Sequence, residues 1–207
     1  MESQNYVELW GAAESEPVFS HENHARRFDK FSLRVERLSG QSDVPVIVAS
    51  EELLRACPVR AGQSLRITGQ LRSFNNRSGQ GSRLVITVFA QSIEPCGGAH
   101  FNRILLSGAL CKKPLLRKTP LGRSICALIP AENRHYGRAD YLPCIAWGQT
   151  AMQIAEMDVG EHLTIEGRVQ SRSYTKKLPE GGSEQRTAFE VSVMQLVDED
   201  ESEDALS

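Results

Sequence analysis

Two short segments decide the fold of this chain: Leu65–Arg72 (LRITGQLR) and Leu163–Gln170 (LTIEGRVQ). In each segment apolar residues alternate with polar ones, which is the period of two that half-buried β-strands show. Each also has a glycine in its interior, Gly69 and Gly167, and an interior glycine suits a strand that bends sharply, as barrel strands do. The two segments lie 98 positions apart, which indicates two copies of one structure.

Other landmark residues repeat at the same spacing. Asn5, Gly11, Pro17, Pro45 and Gly62 recur as Asn102, Gly108, Pro114, Pro143 and Gly160, which lie 97 or 98 positions further on. A period near a hundred residues is too long for a solenoid repeat and suits two copies of a small domain. We predict one domain over 1–96, a second over 101–197 and a disordered tail over 198–207, which carries six acidic residues.

Each half contains five strand-like runs and one short helical stretch. Besides the two segments above, the runs are Tyr6–Gly11, Phe28–Arg37, Val44–Val48, Leu84–Phe89, Ile104–Leu110, Ser124–Ile129, Tyr141–Trp147 and Ala188–Val193. The helices are predicted over Ser50–Ala56 and Gln149–Met157, after the third strand of each half. This is the element order of the OB-fold. The sequence therefore predicts an all-β chain of two tandem five-stranded OB-fold barrels, each with one short helix between strands 3 and 4.

The composition argues against several classes of protein. No apolar run approaches the roughly twenty residues needed to cross a bilayer, and the polar N-terminus lacks the order of a signal peptide. The five cysteines form no C-x-x-C pair, and His21 and His24 are expected in a solvated loop without a third ligand. No catalytic motif is present. We predict a cytoplasmic, nucleoid-associated protein that is not an enzyme and needs no metal or cofactor.

The charge is distributed unevenly. The formal net charge is -2, but residues 1–98 hold eleven basic and eleven acidic side chains, whereas residues 99–197 hold thirteen basic and nine acidic ones. A basic second half and an acidic tail indicate that the second domain meets a polyanion more directly than the first.

The second half combines these cations with aromatic residues. The candidate binding residues there are Lys112, Lys113, Arg117 and Lys118 in the predicted loop around Pro114, then Arg134, Tyr141, Trp147, Arg168, Arg172, Tyr174, Lys176 and Lys177. Arg172 to Lys177 enter a predicted hairpin that turns near Pro179–Gly182. Cations that follow phosphates and rings that stack on unpaired bases are the two requirements for binding a single-stranded nucleic acid.

Other interpretations stay open for these residues. Tyr141 and Trp147 are equally compatible with packing in the core, because aromatic residues are common in strands for packing alone. The lysines and arginines are equally compatible with solvated loop charge. Tyr174 lies beyond the last apolar alternation, so burial is not expected there.

The second half resembles bacterial single-stranded DNA-binding proteins. The similarity covers Asn102–Gly108 with Pro114, Arg117, Thr119, Gly122 and Ala127, then Tyr141–Gly148, Val159–Glu161, Ile165–Tyr174 and Glu190–Val191. Primosomal replication protein N is similar over the opening but less so over Gly167–Tyr174. The resemblance implies that Tyr141, Trp147 and Tyr174 stack on DNA and that Arg168 and Arg172 lie on the strand beneath it. In the first half Phe74, Arg72 and Arg66 suggest a weaker version of this binding face.

The resemblance also implies a role and an assembly. Such proteins coat or protect single-stranded DNA in replication, recombination and repair, and four barrels per assembly imply a homodimer of this chain. RNA is not excluded as a ligand. The tail is acidic like the family's but lacks its Pro-Phe tip, which leaves docking of replication proteins and electrostatic competition with DNA both open. The alternative functions are a primosome-type replication accessory and a protein-protein adaptor built on OB folds.

Overall fold

The computed structural model of the chain describes residues 4–76, 83–134, 137–177 and 181–197. It contains seven strands and a helix in the first sequence repeat. These are β1 (Asn5–Ala13), β2 (Val18–Asn23), β3 (Arg26–Glu36), β4 (Ser42–Asp43), β5 (Val46–Ser50), α1 (Glu51–Ala56), β6 (Ser64–Asn75) and β7 (Leu84–Pro95).

The second repeat has the same order with eight strands. Its elements are β8 (Phe101–Leu110), β9 (Leu115–Lys118), β10 (Ser124–Leu128), β11 (Pro130–Asn133), β12 (Ala139–Tyr141), β13 (Cys144–Trp147), α2 (Gly148–Glu156), β14 (His162–Lys177) and β15 (Ser183–Leu196).

In both repeats the strand order closes a barrel. The first repeat follows the path β2-β3-β5-β7-β6-β1, and β1 pairs back onto β3 through Ala12 and Arg34. The second follows β8-β14-β15-β13-β10-β9, and β11 pairs back onto β8 through Pro130 and Leu110. The helix follows β5 in one repeat and β13 in the other. The predicted all-β class with two OB-fold barrels and one short helix each is confirmed.

The alternation seen in the sequence directs the apolar side chains into the barrels. Large side chains that are fully buried include Leu9, Leu33, Ile47, Leu65, Ile67 and Leu71 in the first repeat and Ile104, Leu106, Leu110, Leu142, Ile154 and Ile165 in the second. Burying each such side chain stabilises the fold by about 1.5 to 3 kcal/mol before chain entropy is counted.

Gly69 and Gly167 mark places where neighbouring strands come close. A Cβ on Gly69 would lie 2.2 Å from the carbonyl oxygen of Phe89, and one on Gly167 would lie 2.4 Å from that of Ser192. At Gly69 the pairing of β6 with β7 also shifts register. A side chain at either position would force the strands apart, so the expectation that glycine is needed there has a direct steric reason.

The structure differs from the predicted elements in three details. The count of five strands per half is too low, because short strands such as β2 and β9 join the barrel edges. His21 is therefore on strand β2 and not in a loop, and Arg117 and Lys118 are on β9 and not in the loop after β8. The helices begin at Glu51 and Gly148, each within one residue of the predicted start.

The chain forms two compact units, and each unit includes a segment from the other half of the sequence. The first unit combines Glu8–Asn102 with Gln170–Glu190; the second combines Arg103–Val169 with the described residues 4–7 and 191–197. A hydrogen bond joins each of these segments to the rest of its unit. In the second unit the side chain of Asn5 donates to buried Glu132 at 3.1 Å. In the first unit the backbone N–H of Ser171 donates to Asp43 at 2.7 Å.

Among the described residues, no helix has the length and apolar character that crossing a bilayer requires. The same part of the chain contains no group of three or more His, Cys, Asp or Glu side chains arranged to hold a metal ion. The acidic tail, 198–207, and part of the predicted hairpin turn, 178–180, lie outside the described residues.

Candidate nucleic-acid interface

Two aromatic rings of the second unit point outward. On β13, Cys144 and Ala146 are buried, so the strand alternation places Trp147 on the outer face, where 43% of the residue is exposed. On β12, Asp140 is buried and Tyr141 is 50% exposed. Packing of these two rings in the core, the alternative that the sequence left open, is therefore excluded.

Strand pairing puts a cation on the same face as Trp147. Ile125 of β10 pairs with Trp147 on one side and with Arg117 of β9 on the other. Residues in register across a sheet present their side chains to the same face, and two strand spacings amount to about 10 Å. Arg117 is exposed. The row Arg117-Ile125-Trp147 thus combines a guanidinium, an apolar floor and a flat ring on the outer face of one barrel.

Exposed cations flank this row. Lys112 and Lys113 precede β9 and Lys118 ends it, and all three are exposed. The Nζ of Lys113 lies 2.5 Å from Oδ1 of Asp158, but both side chains are more than half exposed. An ion pair of this kind contributes at most about 1 kcal/mol. A phosphate can therefore compete with Asp158 for Lys113 at little cost.

Trp147 occupies a position where the first repeat has a helix cap. It is the N-cap residue of α2 and makes no side-chain capping bond. At the start of α1 the N-cap residue is Ser50, whose hydroxyl accepts a hydrogen bond from the backbone N–H of Leu53 at 3.3 Å. Ser and Thr caps typically stabilise a helix by about 1 kcal/mol. The second repeat forgoes that stabilisation and gains an exposed indole ring.

Four candidate residues lie on the hairpin segment that belongs to the first unit: Arg172, Tyr174, Lys176 and Lys177. The Arg172 guanidinium lies 6.0 Å from the centre of the half-buried Tyr174 ring, within cation-π range. Its Nε is 3.7 Å from a carboxylate oxygen of Glu190. Lys176 and Lys177 are exposed. Tyr174 is thus less open than the sequence predicted, because Arg172 packs against its ring.

Arg168 and Arg134 have other surroundings. Arg168 is half-buried on β14, and its Nε is shielded from solvent without a hydrogen-bond partner within the described chain. The Nε and Nη2 of Arg134 donate to both carboxylate oxygens of Asp140, which is fully buried. The structure therefore gives the Arg134 guanidinium a buried partner within its own barrel, where the sequence predicted a DNA contact.

The first repeat contains the same arginine-aspartate pair. Arg37 donates from Nε and Nη2 to the two carboxylate oxygens of Asp43, at 2.7 and 2.5 Å. Asp43 also accepts bonds from the backbone N–H and the hydroxyl of Ser171, at 2.7 and 3.0 Å. Burial raises the pKa of the Asp43 carboxyl, but these hydrogen bonds outweigh it and hold the pKa below its ordinary value.

Two of the weaker DNA-binding candidates in the first repeat, Arg66 and Arg72, contact other side chains of the same repeat. Arg66 is 2.7 Å from Glu8 and 5.9 Å from the centre of the Trp10 ring. Arg72 donates to the side chain of Gln70 and lies 5.8 Å from the centre of the Phe89 ring. Phe74, near the end of β6, is 52% exposed.

The sequence did not identify a row of rings on the outer face of the first barrel. His21 stacks on Phe28 with ring centres 5.0 Å apart and planes 12° apart, and Phe28 meets Phe89 at 5.5 Å. The three residues lie on different strands, β2, β3 and β7, so no local spacing reveals the row. The sequence signals only Phe28 and Phe89, which lie beside apolar residues of regular strands, because β2 has no apolar pattern around His21.

The chain is similar in sequence to known proteins. A family model described as "Single-strand binding protein family" matches residues 101–197. A single-stranded DNA-binding protein of Clostridium tetani is 36% identical over 83 residues, which cover 37% of this chain and 57% of that protein. One of Bacillus cereus is 32% identical over 114 residues, covering 42% of this chain and 67% of that protein.

A solved structure matches nearly the whole chain. The crystal structure of the wild-type single-stranded DNA binding protein from Thermus aquaticus has a TM-score of 0.77, covers 95% of this chain and 93% of its own, and is 21% identical. At that identity the likeness shows the fold. The chain spans about half the length of several curated relatives it matches, for example 50% of a Listeria innocua protein. The sequence matches show that the chain belongs to the single-strand binding protein family.

Proposed function

We propose that this protein binds single-stranded DNA by base stacking and phosphate contacts, as a binding protein and not an enzyme. The observation that carries the proposal is the outer face on which Trp147 and Arg117 flank Ile125 in register. The similarity to proteins named for single-stranded DNA binding supports it. Its cellular role would be to coat or protect single strands in replication, recombination and repair.

The proposed contacts fall into two sets. In the second unit they are Tyr141, Trp147, Lys112, Lys113, Arg117, Lys118 and, on β14, Arg168. On the hairpin they are Arg172, Tyr174, Lys176 and Lys177. We assign Arg134 to the framework, since its guanidinium is bonded to Asp140. Stacking tolerates every base, so little sequence preference is expected.

The proposal extends to organisation and assembly. The sequence copies 1–96 and 101–197 would each supply one barrel, and two chains would give the four barrels of the family's assemblies. The acidic tail would compete with DNA for the cations or dock replication proteins. The protein would act in the cytoplasm, associated with the nucleoid.

A fluorescence titration tests the proposal. The chain has two tryptophans, so a Trp10→Phe variant leaves Trp147 as the only indole reporter. Oligo-dT should quench its emission at 50 mM salt, whereas a duplex of the same length should not. If about six phosphates are contacted, the affinity should fall about 300-fold between 50 and 200 mM salt.

The outcomes separate the candidate functions. Absence of any oligo-dT binding at 50 mM salt would overturn the proposal in favour of a protein-protein adaptor. Binding without saturation of long strands would favour the primosome-type accessory. Equal affinity for oligo-dT and oligo-rU would extend the ligand to RNA, because stacking and charge alone hardly sense the 2′-hydroxyl.

A further inference from the structure

The hairpin of β14 and β15 has a carboxylate beside its candidate DNA contacts. Glu190 lies on β15, and its side chain is only 12% exposed. Its Oε1 accepts a hydrogen bond from Nε2 of Gln170 at 3.0 Å, and its Oε2 lies 3.7 Å from Nε of Arg172. A negative charge at this place repels the phosphates that the neighbouring cations attract. Glu190 therefore opposes the binding that the residues around it are proposed to support.

Glu190 reaches an aromatic ring through an arginine. Gln170, Arg172 and Tyr174 alternate along β14, so their side chains leave the strand on the same face. Arg172 pairs with Glu190 through its Nε, and its guanidinium lies 6.0 Å from the centre of the Tyr174 ring. Arg172 is thus the middle member of a chain of contacts from the carboxylate to the ring.

The ion pair between Glu190 and Arg172 is open to exchange. Its distance of 3.7 Å is too long for a hydrogen bond, so charge alone holds the two groups together. The Arg172 side chain is 61% exposed, so water and salt screen the attraction. A phosphate can form shorter, charge-assisted hydrogen bonds with the same guanidinium. When Arg172 leaves, Glu190 keeps the hydrogen bond from Gln170.

We propose that Glu190 is a positioning residue that holds Arg172 over Tyr174 in the free protein and so restrains DNA binding. This inference rests on the proposed function, because it concerns hairpin residues assigned there to DNA contact. When a single strand binds, a phosphate replaces Glu190 at the guanidinium, Arg172 moves off the ring and a base stacks on Tyr174. The hairpin binds DNA less tightly than its charge alone predicts, because an ion pair must first be broken.

Glu190→Gln tests the restraint. The substitution removes the charge but keeps the length of the side chain and an oxygen to which Gln170 can donate. At about 50 mM salt it should raise the affinity for oligo-dT about two- to fivefold, since Arg172 no longer has to leave a carboxylate. The gain should shrink as salt is added, because salt screens the pair in the unmodified protein. A merely structural role for Glu190 predicts no gain at any salt concentration.

A double-mutant cycle shows whether the effect passes through the arginine. Arg172→Gln alone should lower the affinity for oligo-dT. Adding Glu190→Gln to Arg172→Gln should then give no gain, because the group that Glu190 positions is absent. A gain of the same size in both backgrounds would mean that Glu190 repels the DNA directly, and the positioning role would be refuted.

Glu184→Gln is the matched control for net charge. It removes the same charge from the same strand, and Glu184 is also paired with an arginine, Arg186, at 2.8 Å. The Arg186 side chain is only 8% exposed, so breaking this pair makes no cation available to a phosphate. The affinity of this variant for oligo-dT should stay close to that of the unmodified protein. An equal rise for Glu184→Gln and Glu190→Gln would assign the effect to net charge and overturn the proposal.

A measurement on the unmodified protein keeps the proposal testable if Glu190→Gln fails to fold in a thermal melt. The side-chain N–H resonance of Arg172, identified as the signal that Arg172→Gln removes, should shift when oligo-dT is added. An unchanged resonance at saturation would refute the exchange of Glu190 for phosphate. If the unmodified protein binds no oligo-dT at all, the proposed function itself fails. If it binds and Glu190→Gln binds no more tightly, the restraint is refuted while the proposed function stands.

Discussion

Asp43→Ala is the substitution whose loss of folding stability the structure defines most clearly. It removes the acceptor of four hydrogen bonds, two from Arg37 and two from Ser171. The Arg37 side chain is only 17% exposed. Its charge would be left largely buried without a counter-charge from Asp43, with the neutral oxygens of Gln41 and Ser171, at 3.3 and 3.4 Å, as acceptors. Removing one member of a buried pair typically costs about 3 to 5 kcal/mol. For a chain of this length each kcal/mol lowers the Tm by about 2 to 4 °C, so we expect a fall of roughly 6 to 20 °C.

The assay is urea unfolding followed by far-UV circular dichroism, with a thermal melt as a second measure. Glu14→Ala is the matched control: Glu14 accepts from Arg34 at 2.7 Å, but the two side chains are 30% and 50% exposed. An exposed pair of this kind is worth about 0 to 1 kcal/mol.

A paired replacement separates charge burial from packing. Changing Arg37 to Met and Asp43 to Leu removes both charges, so it should recover the part of the loss that comes from the unpaired Arg37 charge. The part that comes from the two Ser171 donors should remain, because leucine accepts no hydrogen bond. If Asp43→Ala loses no more than Glu14→Ala, the reasoning about the buried pair is refuted.

Three further predictions follow from named contacts. Because hydrogen bonds hold the pKa of Asp43 below its ordinary value of about 3.9, the stability difference between the native protein and Asp43→Ala should be constant from pH 5 to 7. It should shrink below about pH 4, as the pH falls through the lowered pKa; a difference that instead grew in acid would contradict the assignment. In urea unfolding, the free energy of unfolding of Trp147→Ser should exceed that of Trp147→Ala by about 1 kcal/mol, because serine can cap α2 as Ser50 caps α1. Both variants should lose oligo-dT affinity equally. Ala25 has φ 58° in the β2–β3 turn, so Ala25→Gly should raise the free energy of unfolding by about 0.5 to 1 kcal/mol, and an unchanged urea midpoint would argue against strain there.

The barrel framework was predictable because its signals are local. Alternation in Leu65–Arg72 and Leu163–Gln170 reports which face of each strand is buried, and the interior glycines report a close approach of backbones. Strands β2 and β9 gave no such signal, because most of their residues are exposed on the edges of the barrels. A strand with no buried face has no alternation to detect, and for this reason the sequence predicts a loop at His21.

The contact of Arg134 with Asp140 could not be read from the neighbouring sequence. An arginine in a basic, aromatic-containing half is compatible with DNA contact when only its type and neighbourhood are known. The informative signal was the repeat itself: Arg37 and Asp43 recur as Arg134 and Asp140, each 97 positions later with the same separation of six. The recurring glycines and prolines carry no information about this ion pair, because they report backbone geometry and not side-chain contacts.

The two repeats therefore separate residues that maintain the barrel from residues that decide what it binds. Both keep an arginine bonded to a fully buried aspartate. Replacing one member of such a pair lowers the stability strongly, so few single substitutions are tolerated there. The same outer-face row differs between the repeats, and apart from Phe28, which is 9% exposed, its members are not buried. The second barrel places Trp147 at a helix cap in that row, whereas the first keeps the capping Ser50 and builds its rings from His21, Phe28 and Phe89.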